Sequence, residues 1–276
     1  MTLVFDEIGY WTEIKLDIIR QYATQYSKIL SNQARPQLHH VYIDAFAGPG
    51  THFSKDKQDF VPGSPQIALT IDPPFKDYYF IDISRDKLTE LKKIAAGHDN
   101  VHIFQGDCNQ VLLTDVFPNV LRREYRRGLC LLDPYGLHLN WDVIKTAGDM
   151  QSIDMFLNFP VADMNRNVLW RNPDNVDPIE INRMNAYWGD ESWRNIAYST
   201  QKNLFGLPMK EDNDTIAEAF RRRLIEVANF KHMPDPLPMR NSKNAIVYYL
   251  YFASQKPVAL NIVNHIFRHY FDFRAP

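Results

Sequence analysis

Residues 41–50, Val41-Tyr42-Ile43-Asp44-Ala45-Phe46-Ala47-Gly48-Pro49-Gly50, constrain the fold of this chain more than any other stretch. Apolar residues of high β propensity run directly into two glycines and a proline, the pattern of a buried strand that ends in a tight loop. Glycines at such a place let backbone approach a ligand closely, because no Cβ intervenes. Asp44, at the strand's tip, sets a carboxylate at the mouth of the turn. Strand, turn and acid together are the layout of a nucleoside pocket at the carboxyl end of an α/β sheet.

The loop departs from the dinucleotide fingerprint, which needs G-x-G-x-x-G; after Gly48 and Gly50, Phe53 stands where the third glycine would be. A pyrophosphate also wants a helix N-terminus directly after the loop, whereas residues 51–61 are polar and irregular. A cofactor without phosphate fits better, and a nicotinamide-dependent oxidoreductase ranks low. The D-x-F-x-G-x-G run of Asp44, Phe46, Gly48 and Gly50 resembles the first motif of the S-adenosylmethionine-dependent methyltransferases.

The strands that follow carry acids at their tips. Residues 78–81 end in Asp82, placed for the cis-diol of a ribose, and residues 85–96 read as the next helix. Residues 101–104 end in Gly106-Asp107-Cys108-Asn109, where Asp107 can accept from the exocyclic amine of adenine and Cys108 can pack on its face. Residues 129–132 lead to Asp133-Pro134-Tyr135-Gly136. Amino-group methyltransferases place an Asp/Asn-Pro-Pro-aromatic tetrapeptide here, whose acid and proline carbonyl accept from the target amine while the aromatic stacks on it. Here Tyr135 occupies the second proline's place, which keeps the acid and one carbonyl. Residues 153–160 form the fifth strand, with Asn158 and Pro160 at its end beside the pocket.

The remaining segments surround that sheet. Residues 11–31 have helical spacing, and Trp11 and Lys15 are placed to close the cofactor pocket from outside. Ser64 and Pro65 start a helix, leaving 51–63 as a flexible flap. Residues 113–127 are expected to be helical, with Arg122, Arg123, Arg126 and Arg127 near the end complementing its dipole. Residues 161–230, with Trp170, Trp188, Trp193 and the run Arg221-Arg222-Arg223, read as a helical insertion large enough for a lid or a partner surface. An edge segment in 230–239 and a strand over 245–252 supply a closing antiparallel hairpin, and 257–273 a last helix. His265 and His269 lie one turn apart there without an evident third ligand, so no metal site is read.

Composition narrows the class. The 276 residues are 45% hydrophobic and 23% charged, ordinary values for a globular chain. We expect one domain over 1–276, with a helical cap in 1–35 and the insertion at 161–230. A net charge of −2 gives no general attraction to nucleic acid, so such a partner needs a local basic patch. Two cysteines, Cys108 and Cys130, make no disulfide framework, which suits a reducing compartment. No run approaches membrane-spanning length and no signal-peptide profile opens the chain, so the expectation is a soluble, cytoplasmic protein with no membrane partner.

With these pieces in order, the chain resembles the three-Cys-motif partner proteins, a bacterial family grouped with the class I methyltransferases. The likeness rests on Trp11 and Lys15, the 42–50 loop, Gly63-Ser64-Pro65, Phe80-Ile81-Asp82, Gly106-Asp107, Leu132-Asp133-Pro134-Tyr135-Gly136, and the late Tyr-rich strand with Phe252-Ala253-Ser254. It implies a Rossmann-like α/β fold: a seven-stranded, mostly parallel sheet with an antiparallel C-terminal hairpin and helices on both faces. It also implies S-adenosylmethionine as cofactor and a protein partner carrying three cysteines. The expected activity is methyl transfer to an amino nitrogen, a nucleic acid base being one such acceptor. Lys15, Asp44, Phe46, Gly48, Gly50, Asp82, Asp107 and Cys108 would bind the cofactor, and Asp133, Pro134 and Tyr135 would hold the acceptor. The alternative is a cofactor-binding module that docks a protein and has lost methyl transfer or made it conditional.

Overall fold

The computed structural model describes residues 7–202 and 208–271. Its centre is a seven-stranded sheet. The strands are β1 (His39–Asp44), β2 (Asp77–Asp82), β3 (Val101–Gln105), β4 (Arg126–Leu132), β5 (Ile153–Phe159), β6 (Leu237–Arg240) and β7 (Ile246–Ala253). Their order is β6-β7-β5-β4-β1-β2-β3, with β1 to β5 parallel. β7 runs antiparallel to β5, and β6 antiparallel to β7. This is the sheet expected from the sequence. Strands are added outward from β1 on one side as β2 and β3 and on the other as β4 and β5, Asp44 lying in register with Leu131 of β4, and ligands bind at the carboxyl ends where the strand order switches sides in this way.

Along the chain come helices α1 (Tyr10–Ser31), α2 (Ser64–Leu69), α3 (Arg85–Ile94), α4 (Cys108–Val111) and α5 (Trp141–Met150). Between β5 and β6 lie α6 (Val161–Asn167), α7 (Pro178–Trp188), α8 (Trp193–Ala197) and α9 (Asn213–Glu226), and α10 (Pro257–Arg268) follows β7. Helices α1, α2, α3 and α10 cover one face of the sheet, around buried Tyr22, Phe75 and Phe252. Helices α5, α7 and α9 cover the other. The central strands are therefore buried on both sides, which is why β5 reads as a nearly unbroken apolar run.

Three segments differ from expectation. Residues 113–127 do not form a helix; they break into single turns at Leu112–Val116, Phe117–Asn119 and Arg122–Glu124. Pro118 has no N–H to continue a helix, and Tyr125 turns left-handed at φ 59° before β4 begins. Arg126 and Arg127 are thus strand residues, and the helix-dipole reading of the arginines falls.

The segment before Ser64 is ordered as a hairpin. Thr51–Ser54 pairs with Asp59–Pro62, and Glu7–Ile8 adds beside it in parallel. The 161–230 segment contributes a layer of the core. Phe220 of α9 lies 4.7 Å from Phe159 and 5.7 Å from Tyr251, ring centre to ring centre, and Trp188 and Trp193 are buried. Two arginines of its basic run are engaged within the fold, while Arg222 is exposed: Arg221 donates to the carbonyls of Pro234 and Met233, and Arg223 donates to the carbonyl of Trp188 and pairs with Asp190.

Candidate functional site

A cleft of about 880 Å³ opens at the carboxyl ends of β1, β2, β3, β4 and β5, within the size range of cofactor sites. Its shape follows from the loops. Gly48 takes φ +61° and lines the cleft, and its N–H donates to Asp82 Oδ2 at 2.9 Å. Gly50 takes φ +80° and faces away: a Cβ there would sit 2.8 Å from Ile94 Cδ1 and 3.1 Å from Leu91 Cδ1 of α3. Gly50 seats the loop on α3 and, contrary to expectation, is not part of the cleft lining. After it the chain enters a hairpin strand, so no helix N-terminus stands ready for a phosphate.

Asp82 is held by two amides. Besides Gly48, the N–H of Ser84 donates to its Oδ1 at 2.7 Å, and Ser84 itself caps α3 through a hydrogen bond from the Lys87 N–H. The remaining lone pairs of Asp82 are left for the cleft, since an ionised carboxylate offers about four acceptor sites. Asp107 accepts from the Asn109 N–H at 2.7 Å as the cap of α4, with its carboxylate exposed at the same cleft. Cys108 lies behind it. Burial first, then the charge of Asp107, pushes its thiol up to about 12, so it is a packing surface and no nucleophile. Ile83, which the sequence reading passed over, lines the cleft between the two acids and is 74% exposed.

Asp44 lies outside the lining. It is fully buried, accepts from the Phe46 N–H at 3.3 Å with Oδ1, and has no hydrogen-bond partner for Oδ2. Burial pushes its carboxyl up to about 7. Tyr42, two residues back on β1 and so on the same face, also has an unpartnered hydroxyl. Asp82 and Asp107 therefore converge on one cavity, while Asp44 sits beneath its floor. Phe46 is half-buried and does line it.

At the other end of the cleft, Lys15 of α1 is buried and pairs with Asp133 Oδ2. Asn158, at the end of β5, donates from Nδ2 to Asp133 Oδ1 at 2.8 Å. The Lys15 ammonium also lies 5.6 Å from the ring centre of Tyr248 on β7. Trp11 and Lys15 thus do line the cleft, but Lys15 is directed at Asp133. Pro134 is buried and Tyr135 stands out at the rim, 89% exposed. Gly136 turns at φ +63°, where a Cβ would meet Asp163 Oδ2 of α6 at 2.7 Å. Arg166, one turn further along α6, lines the same rim. No local motif announced Arg166 or Tyr248, because their roles come from packing across the sheet.

The hairpin and the N-terminal strand form a roof over one side, contributing His52 and Ile8. Glu13 of α1 fastens it: the Ser54 hydroxyl donates to Glu13 and the Lys57 ammonium pairs with it. The expected flexible flap is therefore tied to the helix that carries Lys15.

No protein-family model matches the sequence, and no curated protein matches it. Solved structures do. The chain is similar to protein LPL1258 from Legionella pneumophila, of family-model DUF519, with TM-score 0.54 and 13% identity over 93% of this chain and 92% of that one. It is also similar to a candidate methyltransferase from Thermobifida fusca (TM-score 0.42, 15% identity, 88% and 82% covered) and to the candidate methyltransferase YhhF from Escherichia coli (TM-score 0.37, 14% identity, 86% and 87% covered). The two latter likenesses are too loose to carry an argument. The first shows the fold, a Rossmann-like, mostly parallel seven-stranded sheet with antiparallel strands near the C-terminus.

Proposed function

We propose that the chain is an S-adenosylmethionine-dependent methyltransferase whose acceptor is an amino nitrogen. One observation carries this reading: Asp82, Asp107 and Asp133, from the ends of three strands, open into a single cleft that lacks a phosphate cradle. The residues present fit the cofactor. Asp82 would accept from the ribose hydroxyls, Asp107 from the adenine amine, and Ile83, Phe46 and Cys108 would supply apolar contact. The bound cofactor supplies a methyl group activated on a sulfonium.

The chain's own contribution is positioning. Asp133 would accept an N–H of the acceptor on lone pairs that Lys15 and Asn158 leave over. Pro134 would offer its carbonyl, and the exposed ring of Tyr135 would stack on a planar acceptor such as a nucleic acid base. Arg166 at the rim would meet a phosphate.

A second reading has its own support. Lys15 and Asn158 already hold the carboxylate that an acceptor amine would need, which suits a cofactor-binding module whose catalysis is lost or waits on a protein partner. The resemblance to the three-Cys-motif partner proteins favours a partner carrying three cysteines.

Incubation with methyl-labelled cofactor, alone and with RNA, DNA or cell extract, separates the two. Label transfer that is lost in Asp133→Ala, in a variant that still melts cooperatively, supports the enzyme. Cofactor binding without transfer to any acceptor supports the module.

A further inference from the structure

A second concavity lies at the opposite end of the sheet from the cleft, where β4 and β5 begin. It measures about 220 Å³, between Tyr22, Tyr26 and Leu30 of α1 and Ala259 and Ile262 of α10. Tyr22 follows Lys15 by seven positions on α1, roughly 10 Å along the helix. An occupant here is therefore distinct from any ligand in the cleft.

The walls are apolar but the floor is charged. Asp154, at the start of β5, is satisfied: the hydroxyls of Tyr22 and Ser254 each donate to it at 2.6 Å. Arg127, at the start of β4, is not. Its guanidinium donates, among the described residues, to the carbonyls of Arg126 at 2.6 Å and Arg122 at 3.4 Å and to no carboxylate. Among the described residues no carboxylate lies within ion-pair distance of it, although the side chain is half-buried. Burial lowers the guanidinium's pKa, and Asp154, already held by two hydroxyls, offsets this only in part. Lys256 adds a second cation at the rim, so the lining carries two cations against one carboxylate.

We propose that this cavity binds a small carboxylic acid with a compact apolar body. The carboxylate pairs with Arg127, whose planar fork of donors matches it in two hydrogen bonds. The apolar body lies against Tyr22, Tyr26 and Ile262. An apolar cavity of about 150 Å³ accepts benzene, so this one has room for a ring and its carboxylate.

Benzoate is the probe, with benzyl alcohol and inorganic phosphate as controls, titrated into the full chain and followed by calorimetry. We expect saturable benzoate binding, weakened about tenfold or more in Arg127→Gln. Benzyl alcohol, which has the ring without the charge, and phosphate, which has the charge without the ring, should each bind about tenfold more weakly or worse. Ala259→Phe, which fills the cavity, should remove binding while the variant still melts cooperatively, and this arm carries the test if Arg127→Gln does not fold. Absence of saturable binding overturns the proposal. So does benzyl alcohol or phosphate binding as tightly as benzoate, or benzoate binding that survives Ala259→Phe.

Discussion

Lys15 and Asp133 stand 118 positions apart in the chain, yet the ammonium is buried against the carboxylate. The two partners are not equivalent: the Lys15 side chain is 6% exposed and that of Asp133 is 29% exposed. Removing the carboxylate strands a buried charge, which typically costs about 3–5 kcal/mol, whereas removing the lysine leaves an acid that water and Asn158 still reach. Asp133→Ala should therefore lower stability in urea more than Lys15→Met does; equal losses would contradict the pairing.

Asp44 supplies a pH dependence of known sign. Its folded pKa, about 7, lies above the ordinary carboxylate value of 3.8 because of burial. The stability it contributes is present in full below about pH 4 and is lost as pH rises towards 7, a fall of at most about 4 kcal/mol. Asp44→Asn should gain stability relative to the natural protein across that window in denaturant titrations at successive pH values. A difference that stays constant with pH would show that the carboxyl is not held neutral.

The two glycines of the loop have different work, which their spacing alone did not reveal. Both take left-handed φ, so alanine at either should cost about 1–2 kcal/mol. Only Gly48 holds Asp82, and Gly50 packs on α3. Thermal melts should show similar losses for Gly48→Ala and Gly50→Ala, while calorimetry should show weaker cofactor binding for Gly48→Ala alone. The roof behaves as part of α1 through Glu13, so Glu13→Ala should speed hydrogen exchange in residues 51–62 and leave the sheet's protection unchanged. Unchanged exchange would detach the roof from the helix.

Elements with a strong local signature were legible in the sequence: the β-branched and aromatic strands, the helix spacing of α1, and the acids at strand tips. Elements decided by tertiary contact were not. The arginines of 122–127 looked like the end of a helix, but Pro118 and the edge of β4 broke it up. Residues 161–230 read as a helical insertion large enough for a lid or a partner surface, because a sequence does not show which ring meets which. Phe220 against Phe159 and Tyr251 makes that segment one layer of the core.

Across the whole molecule, the parallel order around β1 brings acids from separate strands to one opening, and α1 reaches over the sheet to close it. Among the described residues no helix is long and apolar enough to cross a membrane. The same sheet places a second cavity at its far end. The most direct measurement is calorimetric titration of S-adenosylmethionine, and of NADH, into the natural protein and Asp82→Ala. Saturable binding of S-adenosylmethionine but not NADH, weakened about 10- to 100-fold in a variant that still melts cooperatively, is the predicted result. Preference for NADH, or equal affinity in Asp82→Ala, would contradict the assignment of the cleft.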